Sequence, residues 1–303
     1  MSARGDGHIL RDVQSPIVIA TDLTPNAVPA LKRGFIHAKA VGAPVIVCHV
    51  VPDVMRHPLS PTRGENDFVA ATEMCKRAAD LVTEQVRTAV NASPDDYRIM
   101  VEAGVPEDQI VRIADEEKAT FVVIGAKERE GAELLLGQVA ERVVRFAHCS
   151  VLVARAGHET GKLLVATDFE EDSTPALKAM KVLVDGMNLD ATLLHVMQPQ
   201  SSVLPSLLQP LGIEYVPPAK AAMDDLAALG KATLEGLAKQ YGARQAEQVE
   251  GTPSEVIVSR AQDLGVELVI LGSRGRKGLA RLLVGSVAEA VVRRSSTSVL
   301  VAR

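Results

Sequence analysis

The residues with the clearest chemical potential form a basic, glycine-bearing stretch, GSRGRKGLARLLVGS, from Gly272 to Ser286. Gly272 closes an apolar run, and Gly275 follows three residues later. Gly285 and Ser286 open the amphipathic stretch SVAEAVVRR. Glycine tolerates positive φ and lets a ligand approach the backbone closely. Serine is a favoured helix N-cap, and the amides at a helix start attract anions. Arg274, Arg276, Lys277 and Arg281 give the stretch a local charge of +4 with no acid, in a chain of formal net charge −5. That combination suits a phosphate-bearing ligand. The spacing fits neither a Walker A loop nor G-x-G-x-x-G. A solvated basic loop ahead of a capped helix accounts for the same composition.

The sequence holds an altered copy, GAKEREGAELLLGQ, from Gly125 to Gln138. Glu128 stands where the second glycine would be, one residue is missing before Gly137, and Gln138 replaces the serine. Lys127 and Arg129 are outweighed by Glu128, Glu130 and Glu133, a local charge of −1. A carboxylate there repels a polyphosphate, and a side chain there blocks backbone approach. Only the later copy is expected to bind a nucleotide in this way.

Other candidate chemistry is sparse. Cys48-His49 and His148-Cys149 are adjacent soft-ligand pairs, with His57 and Cys75 as further candidates. Neighbours on a strand point to opposite faces, so each pair chelates poorly, and buried Cys with a structural His is the better reading. His195 repeats His49 and reads the same way. The sequence contains no metal-binding C-x-x-C or H-E-x-x-H spacing and no G-x-S-x-G nucleophile elbow. Met74, Met100, Met180, Met187 and Met223 read as core filler.

The elements that must position the glycine stretch come in two sets. Asp22 and Asp168 are 146 residues apart, as are His49 and His195. Gly104 and Gly251 are 147 apart, as are Gly125 and Gly272, and the two copies of SVLVAR end 148 apart at Arg155 and Arg303. A period this long means two whole domains rather than a solenoid. In the first half PIVIAT, PVIVCHV, YRIMVE, TFVVIG and SVLVAR read as strands, and 26–42, 66–92, 106–118 and 137–147 as helices. The second half repeats this with KLLVAT, ATLLHVM, ARQAEQVE, ELVILG and SVLVAR, and with a helix over 219–241. Strand–helix alternation predicts an α/β fold of parallel βαβ units, with ligands beyond the carboxyl ends of the strands. Pro106 and Pro253 sit where a first helical turn begins. The expected organisation is a flexible tail over 1–14, a first domain over 15–155, a linker over 156–161 and a second domain over 162–303. The connection 198–220 carries Leu204, Leu207, Leu208, Leu211, Ile213, Tyr215 and Val216. It reads as packed on the other domain or a dimer partner, or as a lid.

Composition narrows the function classes. The 303 residues are 47% hydrophobic and 23% charged, ordinary for a globular chain. The acidic balance, with no Trp, 5 Phe and 3 Tyr, argues against nucleic acid as a partner. No apolar run reaches membrane-spanning length, the first residues lack a signal-peptide core, and three scattered Cys make no disulfide framework. A cytoplasmic location is expected.

With these landmarks assembled, Gly272-x2-Gly275-x9-Gly285-Ser286 resembles the ATP-binding pattern of universal stress proteins. The chain resembles a tandem member, two such domains covering nearly all of 15–303. The resemblance implies open, Rossmann-like five-stranded parallel sheets in the order 3-2-1-4-5, with helices on both faces, and domains paired through their last strands. It implies ATP as ligand, with Mg²⁺ as a plausible companion. Ala166, Thr167 and Asp168 would then lie at the adenosine end, Asp168 near the ribose, and Val196 against adenine. Leu271, Gly272, Ser273 and Gly275 would meet ribose and phosphates, and Gly285, Ser286 and Val287 the outer phosphates. The implied output is regulatory, through a protein partner that the sequence does not identify. Slow ATP hydrolysis and a nucleotide-independent scaffold or carrier are the rival readings. A tandem chain is compatible with a monomer or a homodimer.

Overall fold

The computed structural model describes residues 15–51, 65–126, 136–157, 159–198, 220–273 and 284–303. In the first half β1 (Ile17–Thr21), β2 (Val45–Val51), β3 (Tyr97–Ala103), β4 (Phe121–Gly125) and β5 (Ser150–Ala154) alternate with α1 (Val28–Val41), α2 (Glu65–Val90), α3 (Pro106–Glu116) and α4 (Gln138–Phe146). In the second, β6 (Lys162–Thr167), β7 (Asp190–Met197), β8 (Gln245–Glu250), β9 (Leu268–Gly272) and β10 (Ser298–Ala302) alternate with α5 (Thr174–Met187), α6 (Lys220–Tyr241), α7 (Pro253–Leu264) and α8 (Ser286–Arg294). The sequence places the helix starts at Pro106 and Pro253 correctly. There the missing proline N–H falls among amides that have no intrahelical partner anyway.

Each half has the strand order 3-2-1-4-5 that the resemblance implies, and the two five-stranded sheets meet edge to edge. The order β3-β2-β1-β4-β5-β10-β9-β6-β7-β8 makes one ten-stranded sheet. Its seam is antiparallel, Val153 opposite Val299 and Val151 opposite Val301, while every other pairing is parallel. The pairing through last strands that the resemblance implies is therefore present within one chain. Central strands such as IVIAT are buried at every position because helices cover both faces. The polar QAEQVE of β8 fits its edge position, exposed at both ends and half-buried between them. Alternate strand residues feed two cores. One lies under α3, α4, α7 and α8, and the other under α1, α2, α5 and α6; each draws residues from both halves.

Candidate functional site

The crevice forms where the strand order reverses, at β6 and β9. These strands are neighbours, Val165 opposite Ile270, and β6 pairs on its other side with β7. The helices that follow β6 and β9, α5 and α8, pack on opposite faces of the sheet, the arrangement that in open α/β sheets leaves a crevice beyond the carboxyl ends of the strands. Leu271 and Gly272 end β9, and Ala166 and Thr167 end β6. Ala166, Val196, Val284 and Val287, all half-buried, pack against the same core cluster as buried Leu271. Four of the predicted site residues, Ala166, Val196, Leu271 and Val287, thus pack on one face of the sheet, the face that α7 and α8 cover.

Thr167 and Asp168 build the turn leaving β6. The Thr167 hydroxyl is 2.9 Å from that of Ser173, which itself donates to the Glu170 carbonyl at 2.8 Å. Thr167 Oγ1 also accepts the Phe169 amide at 3.1 Å. That hydroxyl is buried and engaged, so Thr167 shapes the turn rather than offering a free ligand group. Asp168 Oδ1 accepts the Glu170 amide at 3.1 Å, just beyond the carboxyl end of β6. Asp22 makes the same kind of turn in the first half, accepting the Thr24 amide at 3.0 Å and hydroxyl at 2.7 Å. The turn forces positive φ on Phe169 (67°) and Leu23 (64°), an uncommon conformation for residues with a Cβ.

His195 and His49 hold the neighbouring strand ends together. His195 Nδ1 lies 2.9 Å from the Thr167 carbonyl oxygen and His49 Nδ1 2.8 Å from that of Thr21. A carbonyl only accepts, so each Nδ1 carries the hydrogen. Phe169 stacks on His195 with ring centroids 4.0 Å apart. Strand alternation puts His195 on the sheet face opposite Val196.

Gly272 serves the fold directly. A Cβ there would lie 2.5 Å from the Asp172 carbonyl oxygen, so the space the sequence offers to a ligand is taken by the chain's own backbone. Gly125 meets Asn26 in the same way. Beyond β9, the Ser273 amide donates to the Ala302 carbonyl at 2.9 Å, and the Ser273 carbonyl accepts the Gly285 amide at 2.7 Å. These bonds pin both ends of the connection 274–283. No corresponding bond joins Gly137 to Ala126 among the described residues. Gly275 and the cations Arg274, Arg276, Lys277 and Arg281 lie outside the described residues, as do Glu128, His57 and the apolar residues 204–216.

At the start of α8 the sequence reading of Ser286 as N-cap needs correction. Gly285 is the N-cap, extended at φ −65° and ψ 150°, and its carbonyl accepts the Glu289 amide at 3.0 Å. Ser286 is the first helical residue, exposed, and no side chain among the described residues caps the helix. The amides of Ser286, Val287 and Ala288 precede the first intrahelical bond and have no backbone partner among the described residues.

Two of the cysteines are held in the thiol form. Burial pushes the Cys48 thiol up to about 12 and the Cys149 thiol up to about 11, which disfavours thiolate chemistry. No group of three or more His, Cys, Asp or Glu is arranged to hold a metal among the described residues. No helix among them is long and apolar enough to cross a membrane.

Sequence reasoning missed a buried polar cluster between the halves. Arg33 on α1 donates to Glu267 at 2.7 Å, their side chains 7% and 3% exposed. The Gly161 amide donates to the other Glu267 oxygen at 2.8 Å. Beside them His37 is 2% exposed, and neither ring nitrogen has a hydrogen-bond partner. The one available signal lay in the repeat itself, where Ala179, Leu183 and Thr120 stand in place of Arg33, His37 and Glu267.

The family model described as the universal stress protein family matches the chain twice, over residues 15–155 and 159–303. A universal stress protein of Mycobacterium tuberculosis is 27% identical over 303 residues, covering 95% of this chain and 96% of its own. One from Methanocaldococcus jannaschii is 33% identical over 140 residues, covering 46% of this chain and 81% of its own. A solved universal stress protein from Archaeoglobus fulgidus superposes with a TM-score of 0.67 at 19% identity, over 96% of this chain and 98% of its own.

Proposed function

The chain belongs to the universal stress protein family, and from that footing we propose that it is a nucleotide-responsive stress protein that binds ATP in its second half. The observation that carries the reading is a coincidence at one sheet crevice. The apolar wall read from Ala166, Val196, Leu271 and Val287 shares its sheet face with a helix whose first amides have no intrahelical partner, and Gly285 before that helix is bonded to Ser273 after β9. In this reading the wall takes adenine and Asp168 meets the ribose hydroxyls. The amides of Ser286 and Val287, with the Ser286 hydroxyl, hold phosphate oxygens. A helix start suits phosphate because its N–H groups converge there and the helix dipole adds partial positive charge. Leu271 would lie beneath the ligand next to Ser273, Gly272 would serve by letting the Asp172 turn close against β9, and a glycine at 275 would spare the phosphates a side chain. The local +4 of residues 272–285 supports a ligand with more than one phosphate. Mg²⁺ fits a site that offers one carboxylate plus phosphate oxygens, since that ion commonly keeps several waters.

The first half keeps the Asp22 turn but carries Glu128 and one residue fewer in its connection, so the reading assigns it no phosphate site. Nucleotide occupancy would act by changing domain or partner contacts, to the extent that ATP binds two states of the protein with different affinity. Calorimetric titration of ATP with Mg²⁺ into the wild type and into Gly275→Glu tests the site. The expected result is saturable binding in the wild type, weakened at least tenfold by the substitution. Absence of binding at millimolar ATP in the folded wild type would sink the reading.

A further inference from the structure

The surface along which the two halves meet is nearly self-complementary. The Arg155 amide donates to Ser298 Oγ at 3.0 Å, and the Arg303 amide to Ser150 Oγ at 3.1 Å. The Arg155 guanidinium donates to the Val292 carbonyl near the end of α8, and that of Arg303 to the Val144 carbonyl near the end of α4. Arg293 pairs with Glu141 at 2.6 Å, and Arg145 with Glu289 at 3.3 Å. The seam register is symmetric about Leu152 and Leu300. Each contact has a twin under exchange of the halves. A first half facing another first half, or a second facing a second, would satisfy all of them equally well.

Arg33, His37 and Glu267 break that symmetry. The equivalence of Thr120 and Glu267 rests on the backbone: the Thr120 amide donates to the Pro16 carbonyl as the Glu267 amide donates to that of Lys162. The equivalence of Arg33 and Ala179 follows from α1 and α5, two 14-residue helices at the same offset. At one site related by the exchange, Arg33 meets Glu267; at the other the residues are Ala179 and Thr120.

We infer that the Arg33–Glu267 pair selects the partner at this surface, admitting an unlike half and rejecting a like one. Two first halves would set each buried Arg33 against Thr120, with no carboxylate. Two second halves would set each buried Glu267 against Ala179, with no cation. Each unpartnered buried charge weakens such pairing by about a hundredfold or more. The device keeps a duplicated chain from joining copy to copy through its seam into open-ended strings.

Moving the carboxylate tests this without changing composition. In the full chain, Thr120→Glu combined with Glu267→Thr gives Arg33 its partner on a like half and strands both charges in the unlike pairing. Light scattering after size exclusion should then give at least twice the wild-type molar mass; a mass equal to the wild type overturns the inference. A thermal-unfolding cycle of Arg33→Ala, Glu267→Thr and their combination covers a relocated variant that does not fold. Each single variant should melt below the double variant, and singles that melt at or above the double would overturn the inference on their own.

Discussion

At the scale of single residues, His37 and Gly272 make separable predictions. Burial, with the Arg33 charge adding to it and Glu267 opposing, lowers the His37 pKa from 6.5 to about 4. Between those values the unfolded chain binds a proton that the folded chain does not, so stability rises with pH across that window. The contribution is complete above pH 6.5 and is lost as pH falls to about 4, amounting to roughly 3 kcal/mol at most. Urea unfolding at pH 7, 5.5 and 4.5 should show this slope as a wild-type excess over His37→Leu, the residue the repeat carries at Leu183. Parallel pH profiles in the two proteins would contradict it. Gly272→Ala brings a methyl group against the Asp172 carbonyl, and the backbone must shift to admit it. The substitution should lower stability by about 1–3 kcal/mol, the usual cost of overpacking. Gly125→Ala should cost a similar amount although its half lacks the proposed site, which would identify the glycine as a requirement of the turn, not of the ligand. These roles had little trace in the sequence. A glycine at a strand end looks the same whether ligand or backbone fills the space, and the Arg33–Glu267 contact joins positions 234 residues apart.

At the scale of elements, the start of α8 separates ligand binding from folding. Proline is well tolerated at the first helical position, and Gly285 before it is already extended, the conformation a following proline requires. Ser286→Pro should therefore leave the melting temperature close to wild type while removing one amide and the hydroxyl. ATP affinity should fall about tenfold or more, the scale of a hydrogen bond to a charged acceptor. Unchanged affinity would remove the α8 amides from the site. Helices and strands were largely legible because their signals are local: continuous apolar runs for central strands, and Pro106 and Pro253 for helix starts. The exact cap was not legible, because Gly285 and Ser286 are both acceptable N-caps and backbone geometry decides between them. The turn that engages the Thr167 hydroxyl depends on Ser173, six residues on, and no periodicity announces it.

At the scale of the whole molecule, duplication was the most legible feature, because five landmarks recur in order at nearly one spacing. The fusion of both halves into one sheet is not visible in either SVLVAR copy alone, since a buried strand reads the same at an interface as inside a domain. Its consequence is mechanical. Both cores run across the β5–β10 seam, so neither half can unfold without exposing apolar surface on the other. Thermal unfolding at pH 7 should be one transition whose calorimetric and van't Hoff enthalpies agree; two resolved transitions would show that the seam couples the halves weakly. The same duplication frames the central claim, that two related halves carry one working nucleotide site. Equilibrium dialysis with labelled ATP and Mg²⁺, run to saturation on the wild-type chain, counts those sites directly. The account predicts one ATP per chain; two per chain, or none, would contradict it.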